Sequence, residues 1–357
     1  MLLNYEKENF LHLPTPVEYL PSISKDLGIE LYIKRDDLTP LAMGGNKLRK
    51  LEYLLKDALT KGAHRLLTIG GVQTNHGNRP ITCNHGRLTC AVAAKYGLSG
   101  AIICVGEYPG ELSANLLLDG IMGSDVWIKP QEEGKSEDEL YDIAVEEVTA
   151  HYESQGEKVY FIPLGGSNEI GALGYYECAM ETADQIREAG ISDCRMVTAV
   201  GSMGTYMGLF AAMVNEDLPM NLTGICISPK QDAPGMALDY YNRMSSLFGL
   251  KYKAGLPDFA PTQESFGLIT DYDRGAYNNP CREVRDAMYY MAEKEAVILD
   301  PCYTGKAFAG LLEMVREGRI KRGEKVVFLH TGGAPGINTP HHRVEIEKER
   351  EKYIHML

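Results

Sequence analysis

A lysine, three glycine-bearing turns and a few hydroxyl side chains are the groups in this sequence that can do chemistry. The stretch "AMGGNKLRKLEYLL" (42–55) puts Lys47, Arg49 and Lys50 in the first turn of a segment whose apolar spacing is helical. The positive end of a helix dipole disfavours cations there, so their presence needs a reason. On a helical wheel Leu48, Leu51, Leu54, Leu55, Ala58 and Leu59 form one apolar face. Lys47 falls inside that sector, Lys50 on its flank, and Arg49, Glu52, Lys56 and Asp57 point away. The wheel therefore predicts two solvated cations, Arg49 and Lys50, and one aimed inward. Desolvation and the helix start both lower the pKa of an inward lysine, and the neutral amine is the form that attacks a carbonyl to make a Schiff base. The alternative is a lysine that snorkels out from the helix end.

The glycine-bearing turns follow strand-like runs. In "TAVGSMGTYMGLFAAM" a strand leads through Gly201, Ser202, Met203, Gly204 and Thr205 into a helix. Glycines let the backbone approach an anion and the two hydroxyls can donate to it. No Lys-Ser/Thr ending follows, and the spacing is not that of a dinucleotide fingerprint, so the turn reads as a cradle for one phosphate or as a tight connection. "TIGGVQTNHG" offers Gln73, Thr74, Asn75 and His76 at a second strand end, and "FLHTGGAPG" offers His330, Thr331 and Gly332 at a third. His76 and His330 are candidate acid–base groups, though a histidine bonded to backbone is the commoner outcome. A buried amine, a monophosphate cradle and further strand-end turns are the parts that hold pyridoxal phosphate.

These turns sit in an alternation of strands and helices. "ELYIKRD", "RLLTIGG", "AIICVG", "DVWIKP", "KVYFIPLGG", "MVTAVGSM", "TGICIS", "AVILD" and "KVVFLHTGG" read as strands, with amphipathic segments between most of them. The pattern predicts an α/β fold with open, twisted, mostly parallel sheets flanked by helices. The tail "RVEIEKEREKYIHML" reads as a surface helix. Asn-His-Gly occurs twice, at 75–77 and 84–86, as an insertion at a strand-to-helix turn would produce, and either Asn75 or Asn84 can begin the following helix.

The 357 residues carry a net charge of −13, which argues against a nucleic-acid partner or an anionic membrane surface but leaves room for a local anion site. No apolar run is long enough to span a bilayer and no signal pattern opens the chain, so a cytoplasmic location is expected. The eight cysteines form no CxxC pair and read as buried thiols; His76, Cys83, His85 and Cys90 match no common zinc module, and no metal is expected.

Taken together, "TPVEYLPSISKDLG", "YIKRDDLTPLAMGGNKLRKLEYLL", "GGVQTNHG", "IPLGGSNEIGALGYYE", "GSMGTYMGL", "LDPCYTGKAFAGLL" and "FLHTGGAP" resemble the D-cysteine desulfhydrase and 1-aminocyclopropane-1-carboxylate (ACC) deaminase family from about residue 13 to 336. These are fold-type II pyridoxal-phosphate enzymes, similar to the tryptophan synthase β subunit. The resemblance implies a large cofactor-binding domain of 1–55 and 176–357, a small domain of 56–175, an active site in the cleft between them and a homodimer. It implies that Lys47 bonds the cofactor aldehyde and shuttles protons. Thr74 and Asn75 stand where the family has Ser-Asn, the hydroxyl near substrate and the amide on the cofactor's phenolic oxygen, with His76 beside them. Gly201, Ser202, Met203, Gly204 and Thr205 hold the phosphate; Tyr303 and Tyr277 face ring and substrate; Thr304 and Thr331 border the pyridine edge.

ACC deaminases carry glutamate after the first of these tyrosines; Thr304 stands there as in D-cysteine desulfhydrases. A hydroxyl cannot hold a pyridinium charge as a carboxylate can, so β-elimination from a small amino acid is favoured over cyclopropane opening. D-cysteine, giving pyruvate, sulfide and ammonia, is the leading substrate. Other β-substituted alanines such as cysteate, ACC itself, and non-catalytic binding are the alternatives. Three departures touch the substrate side: Thr74 for serine, the lengthened turn, and Asn278 after Tyr277 where glycine is usual.

Overall fold

The computed structural model describes residues 2–74, 77–108, 110–112, 114–250 and 260–357, leaving aside the side chains of 71–82. The chain runs through β1 (Val17–Tyr19), α1 (Pro21–Leu27), β2 (Glu30–Arg35), α2 (Lys47–Thr60), β3 (Arg65–Ile69), β4 (Gly71–Thr74), β5 (Gly77–Thr82) and α3 (Asn84–Lys95). It continues through β6 (Ser99–Val105), α4 (Ala114–Ile121), β7 (Asp125–Lys129), α5 (Glu137–Glu153), β8 (Val159–Ile162), α6 (Glu169–Glu188), β9 (Cys194–Val200) and α7 (Gly204–Asn215). The last elements are β10 (Met220–Cys226), α8 (Ala233–Phe248), β11 (Leu268–Ile269), α9 (Arg282–Glu295), α10 (Thr304–Arg316), β12 (Lys325–His330) and α11 (Pro340–Arg350).

Two sheets organise them. One has the order β1-β2-β12-β9-β10-β11, parallel except for β1; the other has the order β7-β6-β3-β8, parallel throughout. Period-2 alternation explains why the strands are apolar nearly throughout. In β12, Val327 and Leu329 face the core shared with α6, α7 and α8, whereas Val326 and Phe328 face the core shared with α1, α9 and α10. In β3, Leu66 packs towards α2 and α3, and Leu67 towards α5. Covered on both faces, the sheets are the α/β architecture the alternation predicts.

"AVILD" (296–300) differs from the strand expected. It pairs with no strand among the described residues; Val297 and Leu299 enter the core as extended chain, which leads Asp300 to the start of α10. The second departure is α2. Arg49 and Lys50, placed in solvent by the wheel, are each 1% exposed, and Glu52 is equally buried. A wheel assumes one covered face, but α2 lies between α6 and α3 and is enclosed on several sides. α2 belongs to the core of the four-stranded sheet and α6 to that of the six-stranded sheet, so their packing ties the two halves together.

The buried charges are paired. Arg49 donates to Asp36 Oδ2 from Nε at 2.8 Å and to Glu181 Oε2 at 2.9 Å; Asp36 also accepts from Thr15 and Tyr175, and Lys34 pairs with Glu181. Glu52 accepts the backbone N–H groups of Phe10 and Leu11 and pairs with Lys7. Burial opposes ionisation of Asp36, but Arg49 and Lys34 outweigh it and hold its carboxyl below the usual range. That stabilisation is present above an unfolded carboxylate's pKa, about 4, and is lost as pH falls through the lower folded value. Removing one partner strands the rest, so Asp36→Ala is expected to lower the unfolding free energy by about 3–5 kcal/mol in urea titrations near neutral pH. A loss below about 1 kcal/mol, the range of an exposed pair, would contradict a buried network.

Candidate active site

The loop before α2 is cramped. Leu41, Ala42, Met43, Gly44 and Gly45 all have positive φ, and a Cβ on Gly44 would lie 2.3 Å from the Asp37 carbonyl oxygen. Thr39 Oγ1 accepts the Gly45 N–H at 2.8 Å, and the Asn46 N–H donates to the Thr331 carbonyl at 3.0 Å. From the other side, Arg87 of α3 donates to the carbonyls of Ala42 and Gly44. Residue 47 is thus fixed between the end of β12 and the start of α3.

Lys47 is 8% exposed, with Nζ donating to Asn46 Oδ1 at 3.1 Å and lying 5.7 Å from the centre of the Tyr303 ring. Burial pushes its pKa down to about 8. At pH 7 about a tenth of such amines are neutral, against roughly one in several thousand for an exposed lysine. Among the described residues no carboxylate lies within ion-pair distance, Asp300 acting only from farther off, so the structure answers the snorkelling alternative with an inward amine.

The turn after β9 closes on the same point. Met203 has φ 66°, which lets α7 start at Gly204; the Gly204 N–H donates to the Ser202 carbonyl at 2.9 Å, and no side chain caps the helix. A Cβ on Gly204 would lie 2.6 Å from Ser167 Oγ and 2.9 Å from Lys50 Nζ. Ser202 and Ser167 share a hydrogen bond of 2.7 Å, and Thr205 Oγ1 accepts from Asn46 Nδ2 at 3.0 Å. Asn46, Lys47, Gly201, Thr205, Tyr303 and Thr331 are among the residues around one small hollow here. It adjoins a cavity of about 410 Å³ whose wall includes Lys47, Cys83, His85, Gly201, Tyr277 and Tyr303. The hydroxyls of Tyr277 and Tyr303 are in direct contact, and burial raises the pKa of both well above the usual phenol range.

The turn at 71–86 is where sequence and structure part. β4 and β5 form an antiparallel hairpin, and the helix begins at Asn84 rather than Asn75. Asn75 and His76 lie outside the described residues, as does the side chain of Thr74. Cys83 occupies the cap of α3, accepting the Gly86 N–H, and stands with His85 in the cavity wall. Asn84 accepts from Asn115 at 3.2 Å. The repeat of Asn-His-Gly was the signal for this, since its second copy precedes the helical run.

Thr304 also differs from expectation. Its hydroxyl donates to Asp300 Oδ1 at 2.7 Å and it does not border either hollow, because Asp300 caps α10, accepting the N–H groups of Cys302, Tyr303 and Thr304. Thr331 does border the small hollow. His330 is a structural group: Nε2 donates to the Ile298 carbonyl and Nδ1 accepts the Gly332 N–H.

Lys50 was missed as a candidate. Among the described residues its Nζ reaches only the Gly165 carbonyl and Ser167 Oγ, both at 3.2 Å, and burial followed by repulsion from Lys47 lowers its pKa well below normal. Two buried amines beside a helix N-terminus that no side chain caps form an anion site in want of an anion. His85 stands in the cavity wall: Thr68 donates to the Ile162 carbonyl and so accepts from Nε2, and Nδ1 makes no hydrogen bond within 3.5 Å among the described residues. Phosphate at the glycine turn and an aldehyde at Lys47 fit this arrangement.

All eight cysteines are free thiols, seven of them buried, and no cluster suited to a metal ion occurs among the described residues. No helix among them is long and apolar enough to cross a membrane.

Residues 9–332 match the family described as pyridoxal-phosphate dependent enzyme. The chain is 37% identical over 338 residues, 94% of both proteins, to the putative 1-aminocyclopropane-1-carboxylate deaminase of Pyrococcus abyssi. It is 36% identical over 353 residues, 95% of this chain and 98% of the other, to the D-cysteine desulfhydrase of Klebsiella pneumoniae. A crystal structure of an ACC deaminase homologue superposes with a TM-score of 0.81 at 34% identity, covering 97% of each chain. That of O-ureido-L-serine synthase, at 17% identity and a TM-score of 0.59 over 91% of each chain, shares the fold alone. The cradle and buried amine thus have a cofactor: the chain belongs to the pyridoxal-phosphate dependent enzymes of fold type II, in the family of the ACC deaminases and D-cysteine desulfhydrases.

Proposed function

We propose that this enzyme eliminates a β-substituent from a small amino acid, with D-cysteine the leading substrate and pyruvate, sulfide and ammonia the products. When bound, pyridoxal phosphate supplies the electron sink that makes an amino acid's α-proton removable. Lys47 would hold its aldehyde carbon, and the Gly201–Thr205 turn with Lys50 its phosphate. The Lys47 amine, whose pKa of about 8 leaves a usable neutral fraction near pH 7, takes the α-proton. Thr74 stands by the substrate as the resemblance implies, Cys83 at the start of α3 shares the cavity wall, and the N–H groups of α3 ahead of Gly86 meet the substrate carboxylate. Tyr303 stacks by Lys47 and Gly201, and Tyr277 steadies its hydroxyl.

The observation that carries elimination over ring opening is the charge of the wall beside Tyr303. Thr331 borders the hollow there, and the Asp300 carboxylate is taken up by the N–H groups of Cys302, Tyr303 and Thr304 and by the Thr304 hydroxyl. A neutral pyridine edge makes a weaker electron sink, enough for a good leaving group and poor for an unactivated cyclopropane. Separate sheets joined through α2 and α6 support the two-domain division, although both expected junctions, 55/56 and 175/176, fall within those helices. Homodimeric assembly and a cytoplasmic setting complete the proposal on the family resemblance.

Two outcomes follow. Incubation with D-cysteine, L-cysteine, β-chloroalanine and ACC should yield pyruvate from at least one β-substituted alanine and little 2-oxobutyrate. Dominant 2-oxobutyrate from ACC would overturn the neutral-edge argument, and cofactor absorbance without any keto acid would mark a binder. Separately, Lys50→Met should weaken pyridoxal-phosphate affinity roughly 10- to 100-fold in equilibrium dialysis, the worth of one charge-assisted hydrogen bond. Unchanged affinity would remove Lys50 from the phosphate site.

A further inference from the structure

Lys230 lies in the loop between β10 and α8, and its side chain forms part of the wall of the 410 Å³ cavity together with Ser228. The lysine is half-buried, and its amine has no hydrogen-bond or ion-pair partner among the described residues. Burial lowers its pKa, with only the Cys226 thiol working the other way. The other titratable groups in this wall are Lys47, Cys83, His85, Tyr277, Tyr303 and Glu137. Glu137 is the only carboxylate among them; it interacts with Tyr141 of its own helix and lies beyond ion-pair distance of Lys230. A desolvated cation without a counter-charge in a ligand cavity favours an anion.

A β-substituted amino acid on the cofactor comes with two anionic groups that the elimination reading above already assigns. The phosphate belongs to the hollow around Thr205 and Asn46, which Lys230 does not border, and the α-carboxylate to the α3 start. Only the β-substituent is left to meet the loop after β10.

We infer that Lys230, with the Ser228 hydroxyl, is a second anion point that receives a negatively charged β-substituent, making sulfo-, sulfato- or phospho-substituted alanines substrates. This rests on the elimination reading above. For cysteate, Lys47 takes the α-proton, the Cβ–S bond breaks with its electron pair going to sulfite, and the released aminoacrylate hydrolyses. Cysteate and one water become pyruvate, ammonium and hydrogensulfite, with no oxidant or reductant required.

The test compares initial rates of the holoenzyme with cysteate and with β-chloroalanine, both enantiomers of each, in wild type, Lys230→Met and Lys230→Arg. The ratio of kcat/KM for cysteate to that for β-chloroalanine should fall about 10- to 100-fold in Lys230→Met and recover in Lys230→Arg, with cofactor absorbance and circular dichroism intact. An equal loss on both substrates would assign Lys230 to the α-carboxylate, and a raised cofactor dissociation constant would assign it to the phosphate; either overturns the inference. Wild-type turnover of β-chloroalanine but not cysteate also overturns it while elimination stands. Turnover of neither defeats the elimination reading itself.

Discussion

An ammonium group moved from water into a dry crevice loses hydration worth several kcal/mol, and unless a counter-charge replaces it the proton becomes easy to lose. The structure imposes that condition on Lys47 and, one turn further, on Lys50, while giving neighbouring Arg49 two carboxylates. The contrast within three residues is what the fold must maintain. Arg49 anchors α2 through Asp36 and Glu181, and the anchored helix in turn keeps the two lysines beyond ion-pair distance of any acid among the described residues. An amine that gives up its proton readily and an anion-seeking amine follow from the same burial.

The surrounding architecture serves that constraint. Parallel strands deliver three turns to one place, at the ends of β9 and β12 and ahead of α3, as open α/β sheets do at their carboxyl edges. The left-handed residues before α2 and at Met203 fold the chain tightly enough for helix N-termini and the amine to converge. Because α2 and α6 each belong to a different core and pack on one another, the site is assembled across the junction of the two sheets.

Much of this was legible in the residues. The alternation of apolar runs gave the sheets, and the inward sector of the wheel picked out Lys47. What failed did so for reasons of tertiary context. Arg49, Lys50 and Glu52 look solvated on a wheel because a wheel admits one partner, whereas α2 has neighbours on several sides. "AVILD" has strand composition but satisfies its apolar side chains without a ladder. The duplicated Asn-His-Gly offered two helix starts of equal local merit, and only the hairpin pairing of β4 with β5 selects Asn84 and so brings Cys83 to the wall. Thr304 was placed by resemblance at the pyridine edge, yet a nearer acceptor, Asp300, holds its hydroxyl.

The account depends on Lys47 being the amine that carries the cofactor, although Lys50 is as deeply buried and lies close by. Borohydride reduction of the holoenzyme followed by peptide mapping separates them. The account predicts a single pyridoxyl label on Lys47; a label on Lys50, or none anywhere, would contradict it.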